Sequence, residues 1–359
     1  MNGAGARGRH HDTFDALRLI AAVSVIYGHS YAVTGHAAPQ VPLLHETSEG
    51  YGSLAVDAFF AMSGFLLFSS WMRKPDWRRF ARNRLLRIYP GVIACALVTV
   101  FVLGVAVTTA VGYLGDGQTW SSFARLASLW RPLVRLPGVF ESNHFQNVSG
   151  SLWTLPYELL AYAALLVVAQ LGVLRRPRNV VAIVAAVVVL HVVFIDTTDT
   201  PRAPVFVSEP LSWLDLNLAE ALRLALAFVV GMLCATYIDQ LYRARRWLIV
   251  GGAAGLVLAG AAHSEVGTRI GFAVIVCAVG TMGWELARNW RRRGDPSYGT
   301  YLYAFPIQQL LAWGGVTSAL AMFALATPLA ITAGYASWYL VERRFLPARS
   351  PRQPAVSST

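Results

Sequence analysis

Arg18 and His29 stand in one apolar run, eleven residues apart. At about 100° per residue, eleven steps fall roughly 20° short of or past whole turns, so a helix puts both side chains on one face about 16 Å apart. A neutral imidazole is a general base, and a guanidinium on the same face can engage a carbonyl or a phosphate. The plainer alternatives are an arginine that reaches back to the membrane surface and a histidine that only bonds a neighbouring helix. Asp15, three residues before Arg18, is spaced to pair with it. Asp57 opens the next apolar run at the depth expected for His29. A carboxylate there would fix the imidazole tautomer and raise its basicity, unless it merely caps its helix. Glu158 lies about two turns into a later run, with Arg223 as a possible ion-pair partner. Arg84 and Arg87 are three apart, share a helix face, and together suit a phosphate; as part of a basic flank they also suit topology anchoring. Ser297 and Tyr298 begin a further helix whose N-terminus suits an anion or a simple serine cap.

The elements that carry these residues read as membrane helices. Of 359 residues, 55% are hydrophobic and only 14% charged, with a mean hydropathy of +0.48. A soluble domain carries about 25% charged residues. Ten segments approach the roughly 20 apolar residues needed to cross a bilayer. They cover 14–33, 53–71, 88–111, 151–174, 180–195, 216–237, 247–262, 270–287, 298–316 and 319–341. The expected fold is therefore all-α and polytopic, with a polar segment at 1–13, a membrane domain over 14–342 and a disordered basic tail at 343–359. Cys95, Cys234 and Cys277 all sit in apolar runs without metal-ligand spacing, so neither a disulfide framework nor a metal site is expected.

Lys74 is the only lysine among 30 basic residues, and the net charge is +11. The arginines cluster in alternate loops, at 73–87, 175–178, 243–246, 288–293 and 343–352. The opposite loops hold only Arg125, Arg131, Arg135, Arg202 and Arg269. This asymmetry places both termini in the cytoplasm and accounts for the charge by membrane topology, with no nucleic-acid partner. Because ionisable groups inside a bilayer are costly, they mark function or a paired interior.

Several of these residues fall in one ordered set: Phe14-Asp15-Ala16-Leu17-Arg18 with His29, Val56-Asp57 to Phe65, Arg84 to Tyr89-Pro90, Trp153 to Glu158, Ser297-Tyr298-Gly299 with Tyr301-Leu302, and Val341-Glu342. The set resembles the acyltransferase 3 family of membrane acyltransferases over nearly the whole chain. The resemblance implies transfer of an acyl group, most often acetyl, from acyl-CoA to a sugar hydroxyl of a surface polysaccharide, glycoconjugate or glycosylated metabolite. It implies His29 as the base, Arg18, Arg84 and Arg87 at the donor, and the Trp153–Glu158 motif in the site. Acetyl-CoA would be a substrate, and no bound cofactor is implied. The chain departs from the family where a second histidine is usual: Ala304 stands there, with Gln308 as the nearest polar replacement.

Residue chemistry and resemblance converge on one expected mechanism. Cytoplasmic arginines hold the phosphates of CoA, and the pantetheine arm reaches past Arg18 towards His29, which Asp57 or, second, Glu158 orients. The acceptor would meet the glycine- and aromatic-rich stretch 112–150. One continuous cavity should join the two ends, with His29, Asp57 and Glu158 in its outer half and Arg18, Arg84, Arg87 and Ser297 in its inner half. The expected location is the inner membrane. The competing class is a proton-coupled transporter or flippase, for which intramembrane charges suit equally well, although no repeated pair of broken helices marks one.

Overall fold

The computed structural model describes residues 10–37, 39, 50–196, 216–262, 264–285 and 294–346. The basic stretch at 288–293, Arg202 and most of the expected tail lie outside the described residues.

Regular structure among the described residues is helical. In chain order the helices are α1 (His10–Val33), α2 (Tyr51–Arg73), α3 (Trp77–Leu97), α4 (Gly117–Ser128), α5 (Thr154–Gln170), α6 (Pro177–His191), α7 (Leu218–Thr236), α8 (Ile238–Ala261), α9 (Glu265–Gly280), α10 (Ser297–Trp313) and α11 (Ala319–Ser337). Wider turns carry α3 on to Val107 and α11 on to Phe345, so the basic segment from Arg343 begins as helix. Each of the ten expected apolar segments contains a helix among the described residues. Among the described residues seven helices are long and apolar enough to cross a membrane, and the chain is a multi-pass membrane protein. Of the helices in the ten expected segments, α5, α9 and α10 fall short, with 17, 16 and 17 residues.

Local sequence explains the breaks between helices. Asp76 accepts a hydrogen bond from the Arg79 amide and caps α3, after Pro75 has ended the chain's run from α2. Asn217 caps α7 through the Ala219 and Glu220 amides, and Ser264 caps α9 through Gly267. In the interior, α2 and α7 pack backbone against backbone. A Cβ on Gly64 would lie 2.0 Å from the Phe228 carbonyl oxygen, and one on Gly231 would lie 2.1 Å from that of Ala61. Lipid gives apolar side chains little reason to leave it, so close helix contact depends on such small residues.

The α1–α2 pair sets the depth scale. Phe14 stacks on Phe65 with ring centroids 5.1 Å apart, and Tyr27 meets Tyr51 at 5.9 Å. These antiparallel helices therefore bring Arg18 level with the middle of α2 and His29 level with its first turn.

The stretch 129–153 is irregular yet largely buried, with Val134, Leu136, Val139, Phe140 and Val148 at 3% exposure or less. Such backbone is tolerated at membrane depth only where protein surrounds it. Several of its polar groups are met from within. Arg125 donates to the Arg131 and Leu133 carbonyls, and Gln309 donates to the carbonyls of Phe145 and Asn147. Asn143 returns two hydrogen bonds to Gln309, at 2.9 and 3.0 Å. Leu129, Arg131 and Phe140 hold left-handed backbone angles here, a conformation that non-glycine residues adopt only when their surroundings enforce it.

Candidate active site

A cavity of about 550 Å³ runs between α1, α2, α3, α5 and α10. Arg18, Arg84, Arg87, Glu158, Ser297, Tyr298, Tyr301 and Asp15 all line it, so the fold gathers most of the expected site in one place. Val56, Phe59, Phe60 and Leu155 give it an apolar side. Tyr301 is locked in its wall: its hydroxyl donates to the Ser151 carbonyl at 2.5 Å and lies 2.6 Å from the Thr154 hydroxyl.

Glu158 departs from its expected depth. It lies beside Ser63, whose hydroxyl is 3.5 Å from Oε1, and it accepts a hydrogen bond from the Tyr162 hydroxyl. The reason is local. α5 does not start at the membrane surface but at Thr154, inside the protein, because the buried stretch 129–153 carries the chain inward first. Glu158 consequently joins Arg18 and Arg84 and not the His29 end.

His29 sits outside this cavity. Its ring packs edge-on against Phe305 at 5.1 Å, one turn along α10 from Tyr301. On the α2 side the cavity reaches Val56, about one turn short of the level of His29. The expected single cavity with His29 on its wall is thus interrupted by about one helical turn. Nδ1 of His29 is buried with no hydrogen-bond partner.

Asp57 is not the carboxylate of that histidine. It is 1% exposed and divided between two arginines: Oδ1 accepts from Arg223 at 2.8 Å, and Oδ2 pairs with Arg269. Arg223 also pairs with Glu220 at 2.7 Å, and Arg269 with Glu265 at 2.5 Å. Two expectations change together. Arg223 pairs with Asp57 and Glu220 instead of Glu158, and Arg269 is 1% exposed inside α9 rather than in a surface loop. A buried arginine must be paired, and these two are paired from both their own helix and α2.

Arg84 and Arg87 separate despite their shared spacing. Arg87 is taken up by the protein: it pairs with Asp295 at 2.6 Å and Glu342 at 3.4 Å, with the Tyr298 and Trp338 rings against its guanidinium. Asp295 also accepts from the Ser297 amide and hydroxyl, so a carboxylate of the chain itself already occupies the N-terminus of α10. Burial pushes the Asp295 carboxyl up, but Arg87, Arg18 and the Ser297 hydrogen bonds outweigh it and hold the group below the usual carboxylate range. Arg84 forms no ion pair among the described residues, and its buried Nε has no partner. Arg18 pairs with Asp15 at 3.5 Å.

The remaining candidates lie at the margins. Trp153 packs edge-on against Tyr157 at 5.7 Å, and Tyr89 packs against the hydrophobic core. Ala304 is fully buried beside Ile26, Ala326 and Ala330. Gln308 donates to the Ile26 carbonyl at 2.8 Å and the Ser30 hydroxyl at 2.9 Å, which ties α10 to α1 one residue away from His29; its own Oε1 is buried without a partner. Asp295, Tyr162 and Gln309 carry no signal in the sequence, and Glu342 stands out only as the end of the ordered motif set. Only the long-range pairing of distant segments reveals them.

A multi-pass helical membrane protein with an ionisable cavity at its centre is the class that fold and site define. The model of the acyltransferase 3 family, described as an acyltransferase domain, matches residues 11–342, and the chain belongs to that family of enzymes. Among curated proteins, it is 28% identical over 359 residues to an O-acetyl transferase of Shigella phage Sf6, covering 94% of this chain and 97% of that protein. It is 25% identical over 367 residues to nodulation protein 10 of Rhizobium leguminosarum bv. viciae, covering 95% of each. No solved structure matches it significantly.

Proposed function

We propose that this acyltransferase moves an acyl group, acetyl in the first instance, from acyl-CoA to a hydroxyl of a sugar or sugar-containing acceptor at the inner membrane. The observation that carries the reading is the cavity that brings Arg18, Arg84 and Glu158 together beneath an apolar wall. At about 550 Å³ it falls within the roughly 300–1,000 Å³ of small-molecule sites. It offers a cationic end to a phosphorylated donor and an apolar end to a thin acyl-bearing arm. The phage relative, an O-acetyl transferase, supports acetyl as the group and oxygen as its destination.

In this reading ten helices cross the membrane and both termini are cytoplasmic, as the arginine asymmetry argues. The cavity then faces the donor side, and His29 faces the acceptor side about one turn beyond its end. His29 takes the proton from the acceptor hydroxyl as that oxygen attacks the thioester carbonyl, and CoA leaves as its thiol. The step needs a neutral imidazole with a free ring nitrogen, and the unpartnered Nδ1 is consistent with it. The donor's acyl end must cover the remaining turn, past Tyr301 and Phe305.

The test measures CoA thiol released from acetyl-CoA by purified protein with candidate sugar acceptors, alongside thermal stability. His29→Ala should abolish release and leave the melting temperature near wild type. Retained activity per folded molecule with a lowered melting temperature would make His29 a packing residue and remove it as the base.

A further inference from the structure

A second, smaller cavity of about 300 Å³ adjoins the first, where α2 ends and α3 begins. It shares Ser70, Arg73, Asn83 and Arg84 with the main cavity, so the two chambers meet at Arg84. Its other charged walls are Lys74, Asp76 and Arg79. Asp76 is committed to capping α3 through the Arg79 amide at 3.0 Å.

Four cations therefore face one engaged carboxylate. None of Arg73, Lys74, Arg79 and Arg84 forms an ion pair among the described residues, and the buried Nε of Arg84 lacks any hydrogen-bond partner. The contrast with Arg87, neutralised by two carboxylates 2.6 and 3.4 Å away, is local and large. Topology anchoring explains basic residues at a membrane flank, but not their convergence on a concave chamber that opens onto the active cavity. Like charges held together repel, and an anion between them offsets that cost. Guanidinium groups suit the oxygens of a phosphate ester in particular.

We propose that this chamber is a phosphate-ester subsite, walled by Arg73, Lys74, Arg79 and Arg84, and that Arg87 takes no part in it. Resting on the acyl-CoA reading above, the phosphorylated end of the donor sits in the small chamber and its neutral arm passes Arg84 into the main one. A phospholipid headgroup presents the same chemistry at this depth and is the other possible source of the phosphate.

The experiment is equilibrium binding of CoA, dephospho-CoA and pantetheine to the purified full-length protein in lipid-free micelles, with retained phosphatidylglycerol measured by phosphorus content. Arg73 and Arg79 are exposed, so the R73Q/R79Q double variant should fold. Wild type should bind CoA about tenfold or more tightly than dephospho-CoA, and pantetheine more weakly still. In the double variant the preference for CoA should fall to less than about threefold. If that preference is unchanged but retained phosphatidylglycerol drops in the variant, the phosphate subsite stands and its occupant is the lipid. If neither changes, the subsite is wrong. Turnover separates the two layers: wild type that consumes acetyl-CoA while the variant binds like it leaves the acyl-CoA reading intact and sinks only the subsite. Wild type that consumes none, while the variant still loses phosphate binding, does the reverse.

Discussion

Replacing Asp57 with Asn distinguishes a structural carboxylate from a catalytic one. Asp57 bridges α2 to both α7 and α9 through Arg223 and Arg269, at 1% exposure. Hydrogen bonds to charged groups contribute roughly 1.5–3 kcal/mol each, so the two bridges together hold about 3–6 kcal/mol. The carboxamide keeps one acceptor oxygen and turns the other position into a donor, which faces an arginine. At least one bridge is then lost, and about 3 kcal/mol of unfolding free energy with it, in line with breaking one side of a buried pair. Glu220 and Glu265 still pair with their arginines, so the loss should not grow to leave both guanidiniums uncompensated. The assay is denaturant unfolding in micelles, with acyl transfer measured per folded molecule. Asp57→Asn should lower stability by that amount while its folded fraction retains substantial activity. Wild-type stability with activity lost would show that the carboxylate acts in the chemistry and would refute the ion-pair account.

Three other outcomes follow from the same geometry. Arg84→Gln should raise the apparent KM for acetyl-CoA by about tenfold with stability near wild type, whereas Arg87→Gln should lower the melting temperature by unpairing Asp295 and Glu342; equal effects of the two on KM alone would contradict this division. Gly231→Ala should sharply reduce the yield of folded protein, because its Cβ would lie 2.1 Å from the Ala61 carbonyl oxygen, and unchanged yield and melting temperature would refute backbone-to-backbone packing of α2 on α7. Because Asp295 is held below the usual carboxylate range in the folded protein, its contribution is present above that range and should disappear as pH falls through the depressed folded value; a stability profile of Asp295→Asn that keeps the full wild-type acid slope would rule Asp295 out as a source.

The membrane class, the order of the helices and several of the charged residues that matter are properties of the sequence alone. Hydropathy and arginine distribution act over local stretches, and a helix satisfies its own backbone wherever it sits, so these features need no partner to be read. The ordered set from Arg18 to Glu342 carries the family in the same way. What the sequence cannot express is which charge meets which. Arg84 and Arg87 look alike at three-residue spacing and line the same cavity, yet among the described residues one forms no ion pair there and the other is neutralised by Asp295 and Glu342, 208 and 255 residues away. Asp57 looks like a partner for His29 by depth, but depth is one coordinate. Its position around α2 turns it to α7 and α9, where Arg223 and Arg269 need a carboxylate more than an imidazole does. The depth of Glu158 is equally hidden in the sequence, because the buried stretch 129–153 lets α5 begin inside the protein, held there by Asn143, Gln309 and Tyr301. Side-chain pairing at low dielectric is decided by distances of a few ångströms between segments far apart in the chain, and only packing sets those distances.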